Sequence, residues 1–218
     1  MRHLTLILLT ILASAAPAAA QSTIAVLPFE NGGSYGQDKE TFDALRLGLQ
    51  ALVISELERA QGAQVLDRAA VARAPGLADG EDHVVDAATA AAVGKAVGAR
   101  HVVLGEFVDH YGRFRIDARI VDVNTGRIVD VVSNDPALRD RRDLHAMVTS
   151  VAAGIAEVLQ LQPARSDRSI PAEAITAFSK GLLYLSRGNR AEAAASYERA
   201  LEVAPDFAEA RAALGQAR

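Results

Sequence analysis

The sequence predicts a layered α/β domain on a mixed sheet, followed by a small all-α helical unit. Three observations carry that prediction. An apolar strand leads directly into an amphipathic helix near residue 41, and a shorter strand and helical turn follow. Three strands then occur in succession, separated by glycine turns, and the middle one alternates apolar and charged residues. After a polar linker, small and aromatic residues recur in a register of helical hairpins.

The first twenty residues are set apart from this plan. Arg2 and His3 precede an apolar run from Leu4 to Leu12, and small residues follow, ending Ala18-Ala19-Ala20. That order is a secretory signal peptide (residues 1–20) with cleavage expected before Gln21. The run is too short for the roughly 30 Å of hydrocarbon that a retained span would cross. No cysteine follows, so the mature N-terminus has no thiol for lipidation, and the expected compartment is the periplasm.

The α/β domain is expected over residues 22–161. Residues 23–29, TIAVLPF, are β-branched and apolar and end at Pro28 and the Asn31-Gly32-Gly33 bend, which marks a buried strand. Over residues 41–60, Phe42, Leu45, Leu49, Leu52, Val53 and Leu57 keep helical spacing, with Asp38 or Thr41 as the cap and Gly62 as the stop. Residues 63–68 form a second strand and 69–74 a helical turn ended by Pro75-Gly76, and a polar loop runs over 77–83. Residues 84–100 are a helix of small residues, suited to close approach to a sheet, with Gly98 at its end.

Strands follow at 101–110, 113–123 and 127–133, with turns at Tyr111-Gly112 and Asn124-Thr125-Gly126. In the middle strand Phe114, Ile116, Ala118 and Ile120 alternate with Arg113, Arg115, Asp117 and Arg119, which gives an antiparallel meander one buried face and one wet face. A closing helix within 137–161 carries Leu144, Met147, Val148, Val151, Ile155, Val158 and Leu159. The complete expectation is a mixed sheet with two βα units, a three-stranded meander and a closing helix.

Residues 162–171, with two prolines, read as a linker. Over residues 172–218, Ala174, Gly181, Tyr184, Ala193, Tyr197, Ala200 and Pro205 fall on a tetratricopeptide (TPR) register. Gly215 recurs one period after Gly181, so the last segment is the first helix of a second copy and acts as a cap. One such unit cannot bury its own apolar face. It must lean on the α/β domain, on another copy or on a partner.

The chemistry is sparse. With no cysteine there is no disulfide, thiolate metal site or Cys nucleophile. A net charge of −4 gives no footprint for nucleic acid or an anionic membrane. The bend ENGGSYGQDKETF lacks the G-x-x-x-x-G-K-[ST] spacing that cradles phosphate, because no glycine directly precedes Lys39. His83, His101, His110 and His145 have no metal-ligand spacing, and no nucleophile motif is present. Glu106, Asp109 and His110 lie together on one strand, where cross-strand ion pairing with a neighbouring arginine accounts for the charges. The expectation is a non-enzyme with no catalytic residue, cofactor or metal.

The segments IAVLPFEN, VISELERA, AQVLDR and GARHVVLGEFVD…GRFRIDARIVDVNTGRIV resemble the soluble domain of the CsgG-like curli-secretion family, to which FlgO-type proteins and the TolB N-terminal domain are related. The resemblance covers residues 23–161. It implies a periplasmic protein-binding domain, often in rings, serving export or envelope assembly. The chain departs from the secretion channel in lacking the lipidated cysteine and the extra amphipathic segments of the membrane hairpins. The leading function is thus an exported protein-interaction module for envelope assembly, secretion or scaffolding. Its partner is a protein or peptide bound by the TPR, with homo-oligomerisation possible and any membrane association indirect. Alternatives are a subunit of an outer-membrane secretion channel and a sensor of a small ligand or nucleotide. The binding positions suggested on the repeat are Tyr184, on the face of its first helix, and Asn189, near its turn.

Overall fold

The computed structural model describes residues 22–77, 85–135, 137–163 and 168–218. The expected signal peptide lies outside them, as do nearly all of the polar loop at 77–83, with His83, and the centre of the linker. The architecture is mixed α/β on a mixed sheet, as the sequence predicts.

The strands β1 (Ser22–Val26), β3 (Ala63–Val65) and β4 (His101–His110) are parallel, with β1 between the other two. β5 (Arg113–Asp122) and β6 (Arg127–Ser133) add antiparallel in turn, giving the order β3-β1-β4-β5-β6. Two short strands complete the sheet: β2 (Glu30–Asn31) runs parallel beside β4, and β7 (Arg139–Asp140) pairs with β5.

Helices cover both faces. Ile24, Val26, Val103, Phe107, Phe114, Ile116, Ala118 and Ile120 point into a core roofed by α1 (Lys39–Glu58) and α4 (Leu144–Val158). On the opposite face Ala25, Leu27, Val102, Leu104 and Val121 meet α2 (Arg68–Ala72) and α3 (Ala87–Val97). The period-2 alternation of a strand sorts the residues into these two cores. α3 sits close to the sheet because of its small residues: a Cβ on Gly94 would stand 2.5 Å from methyls of Val102 and Val123. α1 begins where Asp38 accepts the Thr41 N–H at 2.6 Å, and that bond holds the Asp38 carboxyl below its ordinary range.

The second strand ends at Val65 rather than at Arg68, which already opens α2, and two further boundaries differ from expectation. The first strand does not run unbroken to Phe29. Pro28 has no N–H to give a ladder, and the Phe29 N–H turns away to the Arg46 carbonyl of α1 at 3.1 Å. Pairing with β4 resumes at Glu30. The helix expected within 137–161 starts only at Leu144, because the preceding residues form β7 and a 3-10 turn, Arg141–Asp143.

Three further helices complete the chain: α5 (Ala172–Ser186), α6 (Arg190–Val203) and α7 (Ala208–Ala217). They belong to the same buried cluster as α1 and α4.

Candidate functional site

The helical unit is knitted by aromatics and by the absence of side chains. Phe178 of α5 meets Phe207 with ring centres 4.9 Å apart and Tyr197 of α6 at 5.9 Å. A Cβ on Gly181 would lie 2.3 Å from the Tyr197 ring, so glycine is what lets α5 and α6 close on that tyrosine. Tyr197 is fully buried, and burial pushes its hydroxyl up to about 12 despite nearby Arg68.

This unit leans on α1 along the whole of that helix. At the start of α1, Glu40 accepts the Tyr184 hydroxyl at 2.8 Å and stands 3.6 Å from Lys180. In the middle the helices cross at Gly48, where a Cβ would lie 1.8 Å from Ser179 Oγ and 3.3 Å from Ser179 Cα. At the end, Glu209 of α7 accepts the Ser55 hydroxyl at 2.5 Å and both arms of Arg168, at 2.7 and 3.1 Å. Burial alone would raise the Glu209 carboxyl, but the bonds from Arg168 and Ser55 outweigh it and hold the group below its ordinary range. Of the three supports open to a lone repeat, the one seen here is the α/β domain.

Two polar networks at this junction are not visible as motifs. Asp109 is fully buried and accepts from Arg141 at 3.0 Å and from the Gly112 N–H at 2.8 Å. Arg141 continues to Thr176 of α5 at 3.0 Å, so a sheet carboxylate reaches the repeat through one arginine. Nearby, His145 of α4 is buried, with Nε2 3.9 Å from Glu56 and unpartnered. Burial pushes the His145 imidazole below its ordinary value, against the pull of Glu56 and Glu209, and burial likewise pushes Glu56 upward.

The residues singled out from sequence separate on the structure. Tyr184 is half-buried, its hydroxyl engaged by Glu40, whereas Asn189 is exposed at the turn into α6. Glu106 pairs with Arg119 at 3.3 Å across the strands. His110 lies near the Gly33 carbonyl, 3.3 Å away, and under the Tyr35 ring at 5.7 Å. Asp109 does not join them. It has the parity of Gly105 and Phe107 and faces the core, a distinction that alternation along the strand carries. His101 meets the Ser22 hydroxyl at 2.9 Å. Among the described residues no three His, Asp or Glu side chains are grouped to hold a metal ion.

The glycine bend after β1 is tied down rather than a flexible corner. Gly32 N–H donates to the Phe107 carbonyl at 2.8 Å, Tyr35 N–H to Asp109 at 2.7 Å, and Ser34 N–H to Asn31 Oδ1 at 2.9 Å. A phosphate cradle uses free backbone amides of this kind, and these three are engaged within the protein. Gly36, at φ +96°, passes so close to Tyr111 that a Cβ would lie 2.9 Å from the Tyr111 Cα.

Comparison with known proteins adds one family match, to the TPR repeat, over residues 181–218. No curated protein matches the chain. Among solved structures, TolB from Acinetobacter baumannii is 18% identical with a TM-score of 0.43, covering 64% of this chain and 28% of its own. The LpoB C-terminal domain from Salmonella enterica is 18% identical with a TM-score of 0.34, covering 52% of this chain and 81% of its own. Lipoprotein GNA1162 from Neisseria meningitidis is 18% identical with a TM-score of 0.39, covering 62% of this chain and 96% of its own. The chain thus spans less than a third of the TolB structure, and residues 181–218 are similar to the TPR repeat family.

Proposed function

We propose that this chain is a non-enzymatic, exported protein-interaction module of the cell envelope, in which a CsgG-like α/β domain carries a TPR repeat for assembly, secretion or scaffolding. The observation that carries the reading is the TPR match at residues 181–218, on a helical unit whose first helix is fixed against α1. Fixing one side of the unit presents the rest as a preorganised surface, which lowers the ordering cost of binding. The exposed positions around the α5–α6 turn, Asn189 and Arg190, and along α6, Glu192 and Arg199, are what a peptide would meet. Tyr184 supports that surface from behind through Glu40. Export rests on the leader pattern of residues 1–20.

The test is capture from a fractionated envelope extract with the mature protein as bait. The mature chain is expected in the periplasmic fraction, retaining a defined envelope protein that an Asn189→Ala/Arg190→Ala variant of equal stability retains less. Recovery of the chain only in the cytoplasm, or capture indifferent to both substitutions, overturns the proposal.

A further inference from the structure

His145 places a buried titratable ring where the two parts of the chain meet. It is the second residue of α4, its side chain is 5% exposed, and Nε2 has no hydrogen-bond partner. Three other segments face it. From α1 comes Glu56, equally buried, its carboxylate 3.9 Å from Nε2 and so beyond hydrogen-bond reach. From α7 comes Glu209, and from the end of the linker the backbone of Arg168.

The carboxylates around the ring are already engaged. Arg168 holds Glu209 with both arms, at 2.7 and 3.1 Å, and Arg59 stands 3.6 Å from Glu56 and 4.0 Å from Glu209. On the turn before α4, Asp143 lies 3.8 Å from Arg139, Arg142 pairs with Asp140, and Arg141 pairs with Asp109. While the imidazole is neutral, Glu56 and Glu209 balance Arg59 and Arg168. A second proton on the ring adds an uncompensated positive charge, buried, with no acceptor in reach of Nε2 and at the positive end of the α4 dipole.

We propose that the joint between α7 and the α/β domain is an acid-sensitive latch, in which protonation of His145 loosens α7 and the Arg168 segment from α1 and α4. Loosening uncovers Phe207 and the buried side of α7, Ala210, Ala213 and Ala217. A terminal helix is the element that opens at least cost. At neutral pH the latch is closed.

Burial holds the docked imidazole below its ordinary value of 6.5, although Glu56, Glu209 and the Arg168 backbone pull upward. Released from the junction, the ring returns to its ordinary value and binds its proton more readily. Docking is therefore at full strength above pH 6.5 and is lost as pH falls through 6.5 towards the docked value. Glu56 acts in the opposite sense: burial raises its carboxyl, so its own proton favours the docked form as pH falls. Substitution at His145 separates the two contributions. The latch is independent of the repeat's partner.

The chain has no cysteine, so introduced thiols carry spin labels at chosen sites alone. Ser150→Cys/Ala212→Cys, both exposed, spans α4 and α7, and Ser150→Cys/Gln64→Cys spans two points of the α/β domain as a control. Pulsed electron paramagnetic resonance is expected to give the first pair one narrow distance at pH 7.5. A longer, broader population should grow between pH 6.5 and 5 and vanish on return to 7.5, while the control pair stays fixed. With His145→Gln added, the narrow distance is expected to persist throughout. The second readout is the imidazole titration of the cysteine-free protein by nuclear magnetic resonance, which needs no substitution at His145. Its midpoint is expected below 6.5, and lower still in Glu56→Gln, which deletes a carboxylate that draws the proton. An unchanged distance, equal broadening in His145→Gln, broadening of both pairs together, or a His145 midpoint at or above 6.5 overturns the latch.

Discussion

At the scale of single residues, the most exacting position is Asp109. Its carboxylate is fully buried and depends on Arg141 for its charge partner. Breaking a buried pair by removing one member leaves an uncompensated charge, which costs about 3–5 kcal/mol. Arg141→Ala is therefore expected to lower the unfolding free energy by about that amount, read from urea titrations, while Arg142→Ala at the exposed neighbouring pair leaves it nearly unchanged. A similar loss for both would mean that the Asp109 pair is no more than a surface contact. The same residue shows what sequence makes legible at this scale. Alternation along β4 separates Asp109 from Glu106 and His110, so its facing is readable. Its partner is not, because Arg141 lies in a segment expected to be helix and arrives beside β5 only through β7.

At the scale of elements, the fold's decisive contact is the crossing of α1 and α5. Helix propensity alone makes Gly48→Ala stabilising by about 1 kcal/mol. The crossing reverses that sign, because the new methyl would overlap Ser179 Oγ and crowd Ser179 Cβ at 2.7 Å. Overpacking of this kind costs about 1–3 kcal/mol. Gly48→Ala is expected to lower the midpoint of thermal unfolding, and adding Ser179→Gly to recover part of the loss; a rise in midpoint for Gly48→Ala alone would show that the helices do not meet there. Strands and helices themselves were legible wherever periodicity was long: α1, α3, β4, β5 and β6 lie close to the predicted boundaries. The short pieces β2 and β7 were not, since two residues carry no period and exist only because β4 and β5 are already in place. Gly48 belongs to the same class. It sits inside a helix that its apolar stripe defines, and its purpose appears only when the second helix is laid across it.

At the scale of the molecule, the question is whether domain and repeat behave as one body. The linker and the change of sequence character suggest two units, yet the buried cluster runs without a break from Ile24 and Phe107 through Leu49 and Val151 to Phe178, Tyr197 and Phe207. Polar ties follow the same line: Tyr184 to Glu40, Thr176 to Arg141 and through it to Asp109, and Glu209 to Ser55. A repeat that cannot close its own core gains its stability from those contacts, so the repeat has no independent reason to stay folded when the α/β domain opens. Unfolding is therefore expected to be a single cooperative transition. Far-UV circular dichroism, which follows the whole chain, and protease cleavage confined to α6 and α7 should give coincident midpoints in urea. Because the parts share one core, Arg141→Ala should shift both probes together although it lies outside the repeat. Cleavage of α6 and α7 at a lower denaturant concentration than the loss of ellipticity would show instead that the repeat opens by itself, and that its docking on α1 is the weaker joint.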